Sequence, residues 1–524
     1  MTDPGVTPVH ALNDGVWDVL VIGGGIVGAG IFREAARAGL RVLLVEQSDF
    51  ASGTSSRSSK LVHGGLHYLA QGQIRLSLRS QRARLRLLDA GAGLIRPLRF
   101  ELSSDVAARL PVWLRRVLLR VYDGRRSAPG GGSAIGFVDG QTDDARLVLR
   151  VLREGRARGG TTLNYVRVER LLKDRAGRHV GALVTDRRTG RRSTLQARTI
   201  VSAVGFWSDG LSRPPSGAGP TKGLRGSHLV FPRHRLPLQW AVASVHRFSG
   251  RPVYALPWGP VTLVGSTSVP HSQSANSEPR IATDEAMHLF EWTRATFPAR
   301  RLELEDIQAT FSGVRAIPGR RAGERLAQAS RAEYVHAESG LISVIGGKLT
   351  TFHTTAQQVL RLVFREVGCS GSLSATPPLD PLPIPWPGLP FDEIEAARLM
   401  ALYGSDAVEA IAGARAAERA PLPGIGITAA EVRWVCATEH VCHLQDLLCR
   451  RFRTSILAPS GGLPWISRLR SVVCPVLGWS ATRWEEEVDA YRRYWRLAHA
   501  PPRLGGLPVR TNVQWSMGPT AASA

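Results

Sequence analysis

The apolar positions of this chain follow a few distinct patterns. WDVLVI (Trp17–Ile22) and RVLLVE (Arg41–Glu46) are short apolar runs, the second ending in an acid. Between them, GGGIVGAGIFREAARAGL opens in glycines and continues in helix formers. Unbroken apolar runs suit strands covered on both faces, so residues 17–46 predict strand, glycine-rich turn, helix and strand. That is a βαβ unit opening a doubly wound α/β domain. TIVSAVGFWSDG (Thr199–Gly210) and LISVIGGKLTT (Leu341–Thr351) each predict another strand running into a glycine turn, the latter entering a helix.

Elsewhere the pattern changes. From Gly223 to Thr267, GSHLVFP, WAVASVH, RPVYALPW and VTLVGST are separated by Pro and Gly turns and predict an antiparallel sheet. An Arg-rich surface helix is expected over residues 73–92. In LPVWLRRVLLRVYDGRR (Leu110–Arg126), Trp113, Leu114, Val117, Leu118 and Val121 follow a helical period while Arg115, Arg116 and Arg120 fall on other faces. Such a basic amphipathic helix can lie in a membrane interface, the alternative being a helix docked on its own domain. SAPGGGSAIG (Ser127–Gly136) reads as a connector, and TPPLDPLPIPWPGLPF (Thr376–Phe391) as a Pro-rich linker. Beyond it, Ala/Arg/Glu-rich segments predict a helical C-terminal domain over about 392–510.

Length and composition narrow the picture. A chain of 524 residues exceeds what one hydrophobic core supports and predicts two or three domains. No apolar run is long enough for a spanning helix. The first residues lack the basic and apolar regions of a signal peptide, so a cytoplasmic location is expected. The net charge is +24, yet only four of the 67 basic residues are lysines. Codon preference explains that arginine skew as readily as an anionic partner. The arginines are spread along the chain and no recognition module is present, which argues against nucleic acid. An anionic membrane surface is the better candidate. Lys60, Lys222 and Lys348 fall in Gly/Ser-rich motifs, where an ammonium is informative in so lysine-poor a chain. The five cysteines (Cys369, Cys436, Cys442, Cys449, Cys474) are odd in number and read as free thiols. CATEHVCHLQDLLC matches no zinc spacing and reads as buried helix face, so no metal is expected.

Gly23, Gly25 and Gly28 form GxGxxG between a strand and a helix. Glycines there permit a tight turn and let backbone amides approach a pyrophosphate at the helix N-terminus. Glu46, ending the next strand, is placed to accept hydrogen bonds from a ribose. This motif alone leaves FAD and NAD both open. The two later glycine-bearing strand ends favour a large extended cofactor bound by a discontinuous domain.

DVLVIGGGIVGAG, SSKLVHGG, VDGQTDDARLVL, SAVGFWSD, RGSHLVFP, FSGVR and ISVIGGKLTTF occur in one order across roughly residues 17–365. Together they resemble the FAD-dependent (aerobic-type) glycerol-3-phosphate dehydrogenase family. EVRWVCATEH and DLLCRRF resemble that family's helical C-terminal domain more loosely. The resemblance implies an FAD-binding domain over 15–100 with about 137–215 and 335–370. It also implies a membrane-facing segment over 101–136 and a substrate domain over 216–334. The expected activity is oxidation of sn-glycerol 3-phosphate to dihydroxyacetone phosphate by hydride transfer from C2 to flavin N5, with electrons passed to quinone. The enzyme would be peripheral on the cytoplasmic face of the plasma membrane, a homodimer being one assembly open to it.

Carried over by motif, Thr54, Ser55, Ser56, Ser59 and Lys60 would line the flavin and its pyrophosphate, with Gly205, Gly346 and Gly347 at neighbouring turns. His63 would accept the hydroxyl proton, an imidazole suiting this because its ordinary pKa is near ~6.5; the alternative is that it merely holds the Gly-Gly turn. Arg315 would grip the phosphate, with Arg331 as a second arginine. Lys348 would place positive charge beside the reduced flavin, and Leu349 and Thr350 would offer backbone groups to it. The chain departs from the family where substrate is held. HGGLHYLA puts His67, beside Tyr68, where the family has an arginine, and GSTS (Gly265–Ser268) lacks the family's acid. Two alternatives therefore stay open: a flavin oxidoreductase of a non-phosphorylated hydroxy or amino substrate, and a non-catalytic flavin-binding paralogue.

Overall fold

The computed structural model describes residues 15–65, 74–102, 122, 136–207, 211, 220–245, 252–273, 277–319, 333–369, 376–383, 388–422 and 426–502. The helix expected over 110–126, apart from Tyr122, and His67, Tyr68 and Arg331 lie outside these residues.

Strand β1 (Trp17–Ile22), helix α1 (Ile26–Arg37) and strand β2 (Val42–Val45) form the expected βαβ unit. β1 pairs in parallel with β2 and with β9 (Arg192–Ser202). β2 pairs in parallel with β6 (Thr161–Leu163), and β17 (Leu341–Ile345) pairs in parallel with β9. The two faces explain why β1, apart from Asp18 near its start, and β2 are apolar. Val19, Val21, Val42 and Leu44 pack into one buried cluster with α1, while Leu20, Ile22, Leu43 and Val45 pack into another on the opposite face. The first face is covered by α1 together with α3 (Asp144–Arg156) and α5 (Phe352–Val367); the second is covered by the meander of β7 (Val166–Lys173), β8 (His179–Asp186) and β9.

The second sheet is built on β10 (Lys222–Pro232), β11 (Ala241–Val245), β12 (Pro252–Trp258), β13 (Val261–Gly265) and β15 (Ala309–Ile317), all antiparallel to their neighbours in this group. It extends further toward the N-terminus than the sequence pattern suggests. β3 (Leu61–Val62), β4 (Ile95–Leu102) and β5 (Gly136–Thr142) join its far edge, where β4 lies parallel to β11. Helix α4 (Thr283–Thr296) covers one face.

The C-terminal residues 393–498 form a helical region with its own buried cluster, including Leu399, Val432, Leu444, Val473 and Tyr491. Part of the Pro-rich linker is firmly held. Asp380 accepts from Arg33 at 2.8 Å and Arg158 at 2.9 Å, and its carbonyl accepts from Arg150 at 2.7 Å. Cys436, Cys442 and Cys449 are buried thiols; burial pushes Cys436 up to about 12 and Cys449 up to about 11.

Candidate active site

At the C-terminal end of β1 the chain turns through Gly23 with φ +109, and a methyl group there would meet the Ala203 carbonyl oxygen at 2.5 Å. A methyl on Gly28 would lie 1.9 Å from the Gly23 oxygen, so α1 rests directly on the turn. This contact delivers the first-turn amides of α1, uncapped by Gly25, to the edge of the parallel sheet. Helix N-termini favour anions at that position. Ser55 Oγ accepts the Ile26 N–H at 3.0 Å. Glu46 is half-buried at the end of β2 and accepts from Gly24 N at 2.7 Å and Ser48 N at 2.9 Å. Burial pushes its carboxyl above the ordinary range. Each carboxylate oxygen keeps a lone pair for a hydroxyl donor. The turns after β9 and β17 open at the same edge of the parallel sheet, on the other side of β1 from Glu46, through Gly205 (φ +60), Gly346 (φ +83) and Gly347 (φ +101). A side chain at Gly347 would strike Val27 at 2.7 Å. These glycine-lined strand ends, with an open helix N-terminus and a carboxylate beside them, fit a dinucleotide such as FAD.

Residues 53–65 run from this cradle to the second sheet. The Thr54 hydroxyl donates to the Val314 carbonyl on β15, and Ser59 Oγ lies 2.9 Å from His228 Nε2 on β10. Lys60, expected along the pyrophosphate, is instead fully buried, and its Nζ donates at 2.8 Å to both oxygens of Asp144 and to the Ser56 carbonyl. Its ammonium faces the interior. Burial pulls it down to about 8, which leaves it protonated at neutral pH. Burial also works against ionised Asp144, but Lys60 and then Arg453 outweigh it and hold that carboxyl below the usual range. Ser56 is likewise buried, whereas Thr54, Ser55 and Ser59 are half-buried.

His63 is half-buried at the end of this segment. Its carbonyl accepts from the Thr350 hydroxyl at 3.3 Å, and the Gly64 N–H donates to Asp139 at 3.1 Å. Asp139 in turn accepts from Arg84 and from Tyr122, each at 2.8 Å. These backbone bonds pin the Gly-Gly turn. Lys348 and Leu349 are half-buried in the turn that carries Thr350.

Arg315 lies opposite Leu224 in the β10–β15 register, half-buried, with Nη2 3.3 Å from Ser266 Oγ. The GSTS turn has no acid in sequence, yet the fold supplies one. Glu285 of α4 accepts from Thr267 Oγ1 at 2.6 Å and Ser227 Oγ at 3.0 Å, and pairs with Arg225 at 2.5 Å. His228 stands in the RGSHLVFP motif without any sequence mark of a site residue. It is buried, stacks on Phe311 at 4.5 Å between centroids, and is pulled down to about 3 by burial, then by the charges of Lys60 and Arg315. A neutral imidazole therefore supports Ser59 beneath the site.

Two family models match the chain. The FAD dependent oxidoreductase model covers residues 18–353, and the model for the C-terminal domain of alpha-glycerophosphate oxidase covers 342–484. The aerobic glycerol-3-phosphate dehydrogenase of Bacillus subtilis (strain 168) is 32% identical over 378 residues, 66% of either chain. Its namesake from Staphylococcus aureus (strain USA300) is 30% identical over 395 residues, 70% of either chain. Among solved structures, the glycerol-3-phosphate dehydrogenase from Bacillus halodurans complexed with FAD aligns with a TM-score of 0.74 at 26% identity, covering 94% of this chain and 96% of that one. Glycine oxidase from Geobacillus kaustophilus shares the fold at a TM-score of 0.51 and 20% identity, covering 69% of this chain and 97% of that one.

Proposed function

The chain belongs to the FAD-dependent glycerol-3-phosphate dehydrogenase family, and on that premise we propose that it oxidises sn-glycerol 3-phosphate to dihydroxyacetone phosphate and passes the electrons to a quinone. It is an FAD-dependent oxidoreductase acting on a small molecule. The observation that supports the substrate reading is the course of residues 53–65, which leave the dinucleotide cradle where Ser55 holds the Ile26 amide, meet β15 where Thr54 donates to Val314 beside Arg315, and reach His63, whose carbonyl accepts from Thr350. Gly23, Gly25 and Gly28 would admit the pyrophosphate to the α1 amides, Glu46 would hold a ribose, and Thr54, Ser55 and Ser59 would line the cofactor's path. Bound FAD supplies a two-electron acceptor for the hydride from the substrate carbon. His63 would take the hydroxyl proton. Arg315 would grip the phosphate through its planar fork, with Arg331 and the His67–Tyr68 pair as further contacts. Lys348 would hold positive charge at the cofactor, beside Leu349 and Thr350, where the turns of Gly205, Gly346 and Gly347 meet.

Substrate profiling tests this reading. With a dye as acceptor, sn-glycerol 3-phosphate should be turned over with a kcat/KM far above those for glycerol, 2-hydroxy acids and amino acids. Replacing Arg315 by Ala should raise the KM for sn-glycerol 3-phosphate by about 10- to 100-fold, the worth of one charged hydrogen-bonding contact, while leaving any glycerol turnover nearly unchanged. Equal losses on both substrates would remove Arg315 from the phosphate.

Among the described residues no helix is long and apolar enough to cross a membrane. The proposed site of action is the cytoplasmic face of the plasma membrane, reached through the basic segment at Leu110–Arg126; its amphipathic sequence supports this. Changing Arg115, Arg116 and Arg120 together to Glu should release the protein from anionic vesicles in a co-sedimentation assay.

A further inference from the structure

One buried cluster takes no part in the chemistry above. Asp49 is fully buried, and its carboxylate is held by two arginines from the far end of the chain. Arg451 donates to it at 2.6 and 2.8 Å, and Arg450 donates through Nε. Each arginine is itself fixed from the C-terminal side. Arg450 Nη2 donates to Asp446 at 2.6 Å, and Arg451 Nη2 to the Glu439 carbonyl at 2.7 Å. Both stand in a π-helical turn, Leu447–Arg451, a rare backbone form that gathers at functional sites. Two residues on, Arg453 reaches back to the Ser56 carbonyl at 2.6 Å and to Asp144 at 3.2 Å.

The other end of this cluster touches the cofactor cradle. Phe50 follows Asp49, and its ring stands where a side chain on Gly24 would meet it at 2.8 Å. The Ala51 N–H donates to the Gly24 carbonyl at 3.0 Å. Ser56 closes the short helical turn Thr54–Ser56, from which Ser55 holds the first amide of α1. The arginines thus brace the segment that shapes the turn between β1 and α1. Stability alone is a poor reason for such a cluster, because buried ion pairs gain little over apolar packing of similar volume. Their geometry is better suited to fixing one backbone position.

We propose that Arg450, Arg451 and Arg453 are positioning residues through which the C-terminal helical region sets the FAD-binding conformation of residues 49–56 and the Gly24 turn, so that cofactor retention depends on that region. This rests on flavin binding and not on the identity of the substrate.

The test uses the full chain. Arg451→Lys keeps the charge but loses the two-pronged contact with Asp49. Titration of FAD into the apoprotein, followed by flavin fluorescence, should show a Kd raised about tenfold or more. The visible circular dichroism of the bound flavin should shift as well, a change that a loss of stability alone would not produce. A Kd within twofold of the parent, with a lowered urea midpoint, would mean a purely structural cluster and would overturn the proposal. The unmodified protein gives a second test that needs no variant, since coupling between sites is reciprocal. Adding FAD to the apoprotein should slow amide exchange in 439–453 as well as in 49–56. Protection confined to 49–56 would equally overturn the proposal.

Discussion

Replacing His63 by Asn should leave a yellow, folded protein whose flavin is reduced by sn-glycerol 3-phosphate about 10²- to 10⁴-fold more slowly, the usual worth of a positioned general base. The expectation follows from how the turn is held. His63 meets Thr350 through its carbonyl, and Gly64 meets Asp139 through its amide. Asparagine preserves both backbone bonds, so the Gly-Gly turn should keep its shape while the base is lost. Stopped-flow reduction under anaerobic conditions checks this, with the Kd for FAD measured beside it to show that the cofactor site is intact. A rate within a few fold of the parent would return His63 to a role in the turn alone.

Asp144→Asn should destabilise the protein by about 3–5 kcal/mol, the usual cost of stranding a buried charge. Asp144 is fully buried and holds Lys60 at 2.8 Å and Arg453 at 3.2 Å, while its second oxygen accepts from Ser58 N and Oγ. Asparagine fills the same space but strips Lys60 of its ion-pair partner and leaves Arg453 with only the more distant Asp143, at 3.7 Å. The sign of the pH dependence follows from the same contacts. The folded protein holds the Asp144 carboxyl below its ordinary 3.8, so its contribution is complete above that value and fades as pH falls beneath it. Urea unfolding of parent and variant at neutral and acidic pH measures this. The gap between them should narrow in acid, and a gap that stays constant would assign the stability to packing.

What the sequence made legible was local. β1, α1 and β2 fall at Trp17–Ile22, Ile26–Arg37 and Val42–Val45, inside the stretch whose apolar runs and glycines predicted them. Runs buried on both faces carry their own signal, and a glycine turn at a strand end is a short-range feature. The same holds for the strand ends at Ser202 and Ile345. Features that depend on distant partners were not legible. The Lys60 motif looks like a ligand contact until Asp144, 84 positions away, takes its ammonium. The GSTS turn looks acid-free until Glu285 arrives from α4. β4 has no sequence mark that sends it to lie parallel with β11 in the second sheet. The pairing of Asp49 with Arg450 and Arg451 spans about 400 positions and crosses the boundary into the helical region. DLLCRRF therefore reads as an ordinary helix until its arginines are seen buried against the cofactor segment.

One anaerobic single-turnover measurement identifies the substrate directly. The FAD-loaded protein is mixed, without oxygen or dye, with one equivalent of sn-glycerol 3-phosphate while the oxidised-flavin absorbance is followed and the product is identified. The flavin should bleach, and dihydroxyacetone phosphate should form in equal amount. A flavin that stays oxidised with sn-glycerol 3-phosphate, yet bleaches with a non-phosphorylated alcohol or an amine, would contradict the proposed function.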